Sequence, residues 1–223
     1  MSNLFRSSIG KKLIMSLAGL FLIIFLIVHL GINLSLILCK SREYFNIAAA
    51  FMSSNVIIKI FEIILFGGFI LHMFYGIVLQ IQNWLARPKR YKIPNYSQTS
   101  FFSKFMIHTS IIITVFLVLH LFDFYIKSKF AENVENVVYN GREYHDLGLL
   151  VIQRFKIGWV VIVYVLTLLF LGFHLHHGFQ SAFQTLGIHH KTYSPVIKAA
   201  GLIYTIVITG GFISLPVYIY FLK

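Results

Sequence analysis

The chain has 223 residues, 58% hydrophobic and 12% charged, with a mean hydropathy of +0.80 and a formal net charge of +12. A soluble fold cannot cover that much apolar surface, so the composition excludes a water-soluble domain and indicates an all-α integral membrane protein. The positive charge does not imply a nucleic-acid partner, because the Lys and Arg residues sit in short segments between apolar runs, which is a topology signal.

In chain order, a basic tail with Arg6, Lys11 and Lys12 precedes a first span predicted at about residues 13–38. A short polar stretch, residues 39–55, leads to a second span at about 56–82, which holds Lys59, Glu62 and His72. The next connection carries Arg87, Lys89, Arg90 and Lys92, and its Pro88 and Pro94 argue against continuous helix. A third span covers about 104–126, with His108 near its start and His120 near its end. The longest connection, 127–156, is polar and mixed in charge, with Glu132, Glu135, Glu143 and Asp146. The fourth span, about 157–180, is followed by a basic loop with His189, His190, Lys191 and Lys198. A fifth span runs over about 196–221, where Pro216 is expected to kink or end the helix. Each exceeds the roughly 20 residues needed to cross the hydrocarbon core, so the expectation is one membrane domain of five transmembrane helices. No internal repeat, soluble domain or cleavable signal sequence is expected, and the single Cys39 makes neither a disulfide nor a metal motif.

The tail, the second connection and the fourth connection are rich in Lys and Arg with almost no acid. The positive-inside rule puts them in the cytoplasm, with Lys223 on the outer side. By parity the long third connection is also outside.

The fourth span ends in Gly-Phe-His-Leu-His-His-Gly, placing His174, His176 and His177 near one another. An imidazole in hydrocarbon is costly, and neutral imidazole is a common metal ligand and an axial ligand of haem iron. His176 and His177 read as interfacial, whereas His174 lies deeper. Helical rise gives the depths: His29 and His120 each stand about 16 residues above the cytoplasmic starts of their helices, roughly 24 Å up. His72 and His174 stand about six to ten residues from their inner ends, so roughly 9–15 Å deep. Four helices thus place four histidines at two levels. That is the geometry for a five-helix bundle enclosing two haems b, the outer on His29 and His120 and the inner on His72 and His174. Gly31, Gly67, Gly68, Gly76, Gly172 and Gly178 lie near these positions, where a flat macrocycle needs close backbone approach; small-residue helix packing is the alternative.

Several motifs carry a family resemblance. Ser-Ser-Ile-Gly-Lys-Lys at residues 7–12 is followed by Met-Ser-Leu-Ala-Gly-Leu-Phe-Leu at 15–22 and His-Leu-Gly-Ile-Asn-Leu at 29–34. Together with His174 and Gly178 in the spacing H-x-x-x-G, they resemble the dihaem cytochrome b anchor of succinate:quinone oxidoreductases and fumarate reductases. The nearer resemblance is to the single-anchor, five-helix type found in bacteria such as the Bacteroidetes group. It spans all five helices but not the outer loop 127–156.

The resemblance implies one haem ligand from each of the first four helices, mapping onto His29, His72, His120 and His174. It implies a bacterial cytoplasmic membrane, with a flavoprotein and an iron–sulfur subunit docking on the cytoplasmic side. This chain would then be the electron-transfer and quinone-reactive subunit, passing electrons between the iron–sulfur subunit and menaquinone. Succinate chemistry is left to the partners, because the chain shows no nucleotide fold and no cysteine cluster. Where the family sometimes has a glutamate two residues before the fourth-helix ligand, this chain has Gly172, which leaves a proton path there without its carboxylate.

Glu62 is the candidate quinone proton donor, an intramembrane carboxylate about ten residues outward of His72. An ion pair with Lys59 is the alternative. His108, His176 and His177 are candidates for haem propionates, an inner quinone pocket or plain interfacial solvation. Lys11, Lys12, Arg87, Arg90 and Lys191 are candidates for propionates, docking or topology. Asp123 is expected to pair with Lys127, and Trp84 and Trp159 to sit at the interfaces. Two rival functions share parts of this pattern: a dihaem anchor of a hydrogenase or formate dehydrogenase, and a haem-free transporter using the histidines as a proton path.

Overall fold

The structure is a computed structural model that describes residues 7–86, 101–130 and 134–223, without the side chains of 101–104. Arg6, Arg87, Pro88, Lys89, Arg90, Lys92, Pro94 and Glu132 therefore lie outside the described residues. The elements in order are α1 (Ser8–Leu38), α2 (Glu43–Ser54), α3 (Val56–Leu85), α4 (Phe101–His120), a π-helical turn (Leu121–Ile126), α5 (Lys127–Phe130), β1 (Asn136–Tyr139), β2 (Arg142–His145), α6 (Leu147–Phe155), α7 (Gly158–Thr185) and α8 (Tyr193–Leu222). Among the described residues, five segments are long and apolar enough to cross a membrane: Ser8–Leu38, Val56–Leu85, Phe105–Phe130, Gly158–Thr185 and Tyr193–Leu222. The chain is an all-α, multi-pass membrane protein.

Local chemistry sets several of the boundaries. Ser7 caps α1 by accepting a hydrogen bond from the Gly10 N–H at 3.0 Å. Asn55 ends α2 and starts α3 by itself: its extended backbone breaks the helix, and Oδ1 accepts from Ile57 and Ile58 N–H at 2.9 and 3.3 Å. The predicted polar stretch 39–55 is therefore mostly helix. α8 runs on past Pro216 to Leu222, so the proline does not end it, and its ring is fully buried.

Within the predicted connection 127–156, the described residues 134–156 form a hairpin and a short helix. Asn140 and Gly141 both take positive φ, 50° and 75°, and make the two-residue turn of an antiparallel hairpin pairing Asn136 with His145 and Tyr139 with Arg142. Asp146 then caps α6, accepting from Leu149 N–H at 2.9 Å.

Within the bundle α7 is the most buried span and α3 the least. α7 packs on α8, α4 and α1, while α1 also packs on α3 and α8; α3 meets α4 at only a few points. Glycines permit the tightest approaches, as membrane helix packing requires. A β-carbon at Gly172 would stand 3.0 Å from Thr209 Oγ1, one at Gly158 3.1 Å from Tyr220 Oη, and one at Gly211 2.8 Å from Leu30 Cδ2.

One end of the bundle gathers the hairpin, α2 and α6 over the ends of the long helices. Arg42 donates to Asp146 at 2.7 Å, Asn46 donates to Asp146 at 2.9 Å, and Gly148 N–H donates to Asn46 Oδ1 at 2.8 Å. Lys223 Nζ donates to the Leu36 carbonyl at 2.6 Å, joining the end of α8 to the end of α1. The apolar core lies beneath this cap, with Leu36, Phe45, Val151, Val160 and Ile219 among its members.

Candidate functional site

His29, His72, His120 and His174 come from four separate helices, and all four are at least partly buried. The structure brings them together in two pairs. His29 of α1 faces His120 of α4 with ring centroids 5.8 Å apart and planes at 87°. His72 of α3 faces His174 of α7 at 6.1 Å and 73°. Two imidazole nitrogens bound about 2 Å from one metal, on opposite sides, set their ring centres about 6 Å apart. Both pairs meet that spacing.

The polar atoms fit the same chemistry. His72 Nδ1 lies 3.2 Å from the Met15 carbonyl, an N–H···O contact that fixes the tautomer and leaves Nε2 as the free ligand atom. His120 and His174 each keep a buried Nδ1 with no hydrogen-bond partner, a costly arrangement for an imidazole packed in apolar surroundings. Among the described residues no three or more His, Cys, Asp or Glu side chains converge. The histidines thus offer two pairs of imidazoles, a donor set that could hold haem iron.

Aromatic rings enclose the first pair. Phe25 stacks on His29 at 5.2 Å, and Phe212 lies 5.5 Å from it. Phe116 stacks on His120 at 5.8 Å, with Phe124 at 5.2 Å and Tyr164 at 6.2 Å. The second pair is more open, but α1 approaches it closely: a β-carbon at Gly19 would stand 3.2 Å from His72 Cε1. Gly19 was not among the glycines singled out from sequence. Of those that were, Gly172 is taken up by packing on Thr209, and Gly31 lines an apolar groove between α1 and α8 with Leu30 and Tyr204. At Gly67, Gly76 and Gly178 a β-carbon would touch nothing within 4 Å.

Two acidic side chains take partners other than those expected. Glu62 is not paired with Lys59, which is exposed; it accepts a hydrogen bond from Tyr125 Oη and an ion pair from Lys129 Nζ at 3.4 Å. Asp123 is paired not with Lys127 but with Arg154 at 2.9 Å, and it accepts from Tyr164 Oη at 3.3 Å. In apolar surroundings a carboxylate is held across the helix interface, where solvent is least able to compete. Parity carried the missed signal, since it brings the start of α3 to the end of α5, and Asp123 to the segment before α7.

Among the remaining candidates, His108 is exposed and borders a cavity of about 230 Å³ with Thr109, Phe170 and Phe173. His176 Nε2 lies 3.3 Å from Gln180 Nε2. His177 remains within α7, one turn from His174. Lys191 is exposed in the loop before α8, Lys11 and Lys12 lie in the first two turns of α1, and Trp84 and Trp159 are exposed at helix ends. Comparison with protein-family models, curated proteins and solved structures returns no match.

Proposed function

We propose that this chain is the dihaem cytochrome b membrane anchor of a succinate:quinone oxidoreductase or fumarate reductase. In this reading it relays electrons between an iron–sulfur subunit on the cytoplasmic side and menaquinone in the bilayer, and a flavoprotein completes the complex. The observation that carries it is the pair of two-histidine contacts, 5.8 and 6.1 Å between ring centres, at two levels of one bundle. Two haems b, when bound, would supply two one-electron iron couples.

The residues of the chain would do the rest. His29 and His120, and His72 and His174, would hold the two irons, and the Met15 carbonyl would orient His72. Phe25, Phe116, Phe124 and Phe212 exclude water around the outer pair. Glu62, with Tyr125 and Lys129 on it, would exchange the proton that quinone reduction or oxidation requires. The resemblance in residues 7–34 and 174–178 supplies the choice of succinate over other respiratory donors.

The deciding experiment is pyridine haemochrome analysis of the detergent-purified chain, with identification of the copurifying subunits. Two haems b per chain with flavin and succinate-oxidising activity is the expected result. A nickel- or molybdenum-containing partner would transfer the anchor to a hydrogenase or formate dehydrogenase, and a colourless preparation would leave the transporter reading. Within this function, Glu62→Gln is expected to cut quinone turnover by at least tenfold with haem content intact. Unchanged turnover with both haems present would remove Glu62 from proton transfer.

A further inference from the structure

We infer that Asp123, Arg154 and Tyr164 form a positioning unit for the His29–His120 centre, whose paired charges hold the reduction potential of the group bound there. The inference rests on the dihaem reading above.

Asp123 lies in the π-helical turn that begins directly after His120. Such turns are rare and often mark functional segments, because the extra residue re-aims the side chains that follow. Here it delivers a carboxylate to the bundle side of an otherwise apolar run, Leu-Phe-Asp-Phe-Tyr-Ile, where Asp123 is 13% exposed. Arg154 reaches it from the last turn of α6, and its guanidinium is covered by the Trp159 ring at 5.4 Å. Arg154 Nε is buried with no hydrogen-bond partner, so the pair retains an unused donor.

Tyr164 links the pair to the ligand. Its hydroxyl donates to Asp123, while its ring contacts His120 at 6.2 Å and Phe116 at 4.8 Å. Phe155, next to Arg154, packs on the same ring at 5.0 Å. A charge pair linked to the centre through one side chain, Tyr164, in apolar surroundings is weakly screened. While both charges are present their fields largely cancel at the centre. Adding one electron to the centre is opposed by a lone carboxylate and favoured by a lone guanidinium. An ion pair with only a structural role has no such signed effect.

The test is a redox titration of the purified chain, following the visible spectra of both b-type components in Arg154→Leu, Asp123→Asn, Arg154→Lys and the double variant Asp123→Asn/Arg154→Leu. The expected result is a lowered potential for the outer component in Arg154→Leu and a raised one in Asp123→Asn. The double variant and Arg154→Lys should return close to wild type, with the inner component moved less throughout. Shifts of the same sign in both single variants, or equal shifts in the two components, would overturn the inference and leave the pair a packing contact. If Arg154→Leu and Asp123→Asn fail to fold, the double variant and Arg154→Lys decide: an outer potential far from wild type in either overturns it. A wild-type chain without haem would overturn the dihaem reading itself, a result distinct from each of these.

Discussion

Replacing His72 or His174 with alanine is expected to abolish one b-type spectral component and halve the haem content. Replacing His29 or His120 should abolish the other. The expectation follows from the two contacts under the proposed function: each pair would share one haem, and the loss of either ring would remove half of its ligand set. Substitution by a neighbour is blocked geometrically at both levels. α1 closes on His72 at Gly19, and the His29 and His120 rings are wedged by Phe25, Phe116 and Phe212. Pyridine haemochrome and reduced-minus-oxidised spectra of the four single variants measure it. Loss of the same component in His29→Ala and His72→Ala would mean that the ligands pair within adjacent helices, against the observed contacts.

The pairing of histidines by height was readable because it depends only on helical rise and chain parity, and both survive errors of a few residues at span ends. Hydropathy gave the five spans for the same reason. Details that depend on contacts between elements were not readable. The segment Glu43–Ser54 is too short and too mixed for a span, yet it forms a helix because Phe45 and Asn46 have a place to bury under the hairpin. The hairpin is a different matter, since Asn140-Gly141 between Val-Val-Tyr and Arg-Glu-Tyr is a strong local turn signal that the polar character of the loop obscured.

The ion pairs show the limit of local reasoning most clearly. Pairing Glu62 with Lys59, or Asp123 with Lys127, follows from neighbours on one helix. A carboxylate facing a bundle instead takes partners from the next helix, as Tyr125, Lys129, Arg154 and Tyr164 do here. The π-helical turn after His120 leaves no periodic trace in Leu121–Ile126, so the aim of Asp123 toward α6 and α7 could not be read from spacing. The glycines divide for the same reason: Gly172 is used against Thr209, while Gly19, unremarkable in sequence, is the one against His72.

Asp146→Ala is expected to loosen the hairpin end at a cost of about 2–4 kcal/mol. Asp146 is only 4% exposed and accepts from Arg42, from Asn46 and from the Leu149 N–H, so its loss removes the α6 cap and breaks the link to α2 together. Arg42 is 35% exposed, so its own attraction is partly screened; most of the cost falls on the Asn46 and Leu149 donors left without an acceptor. Burial alone would push the Asp146 carboxyl up, but the hydrogen bonds from Arg42, Asn46 and Leu149 outweigh it and hold the group below its usual value. The same bond to Asp146 raises Arg42, with burial opposing. A lowered carboxyl contributes stability that is present above the unfolded value of about 3.9 and is lost as the pH falls through the lower folded value. Thermal unfolding in detergent should therefore show the variant melting several degrees below wild type at pH 7, with the gap closing below about pH 4. Hydrogen exchange should locate the loss in α2 and α6, and an unchanged melting temperature with full protection there would show that the cap is held by its apolar contacts alone.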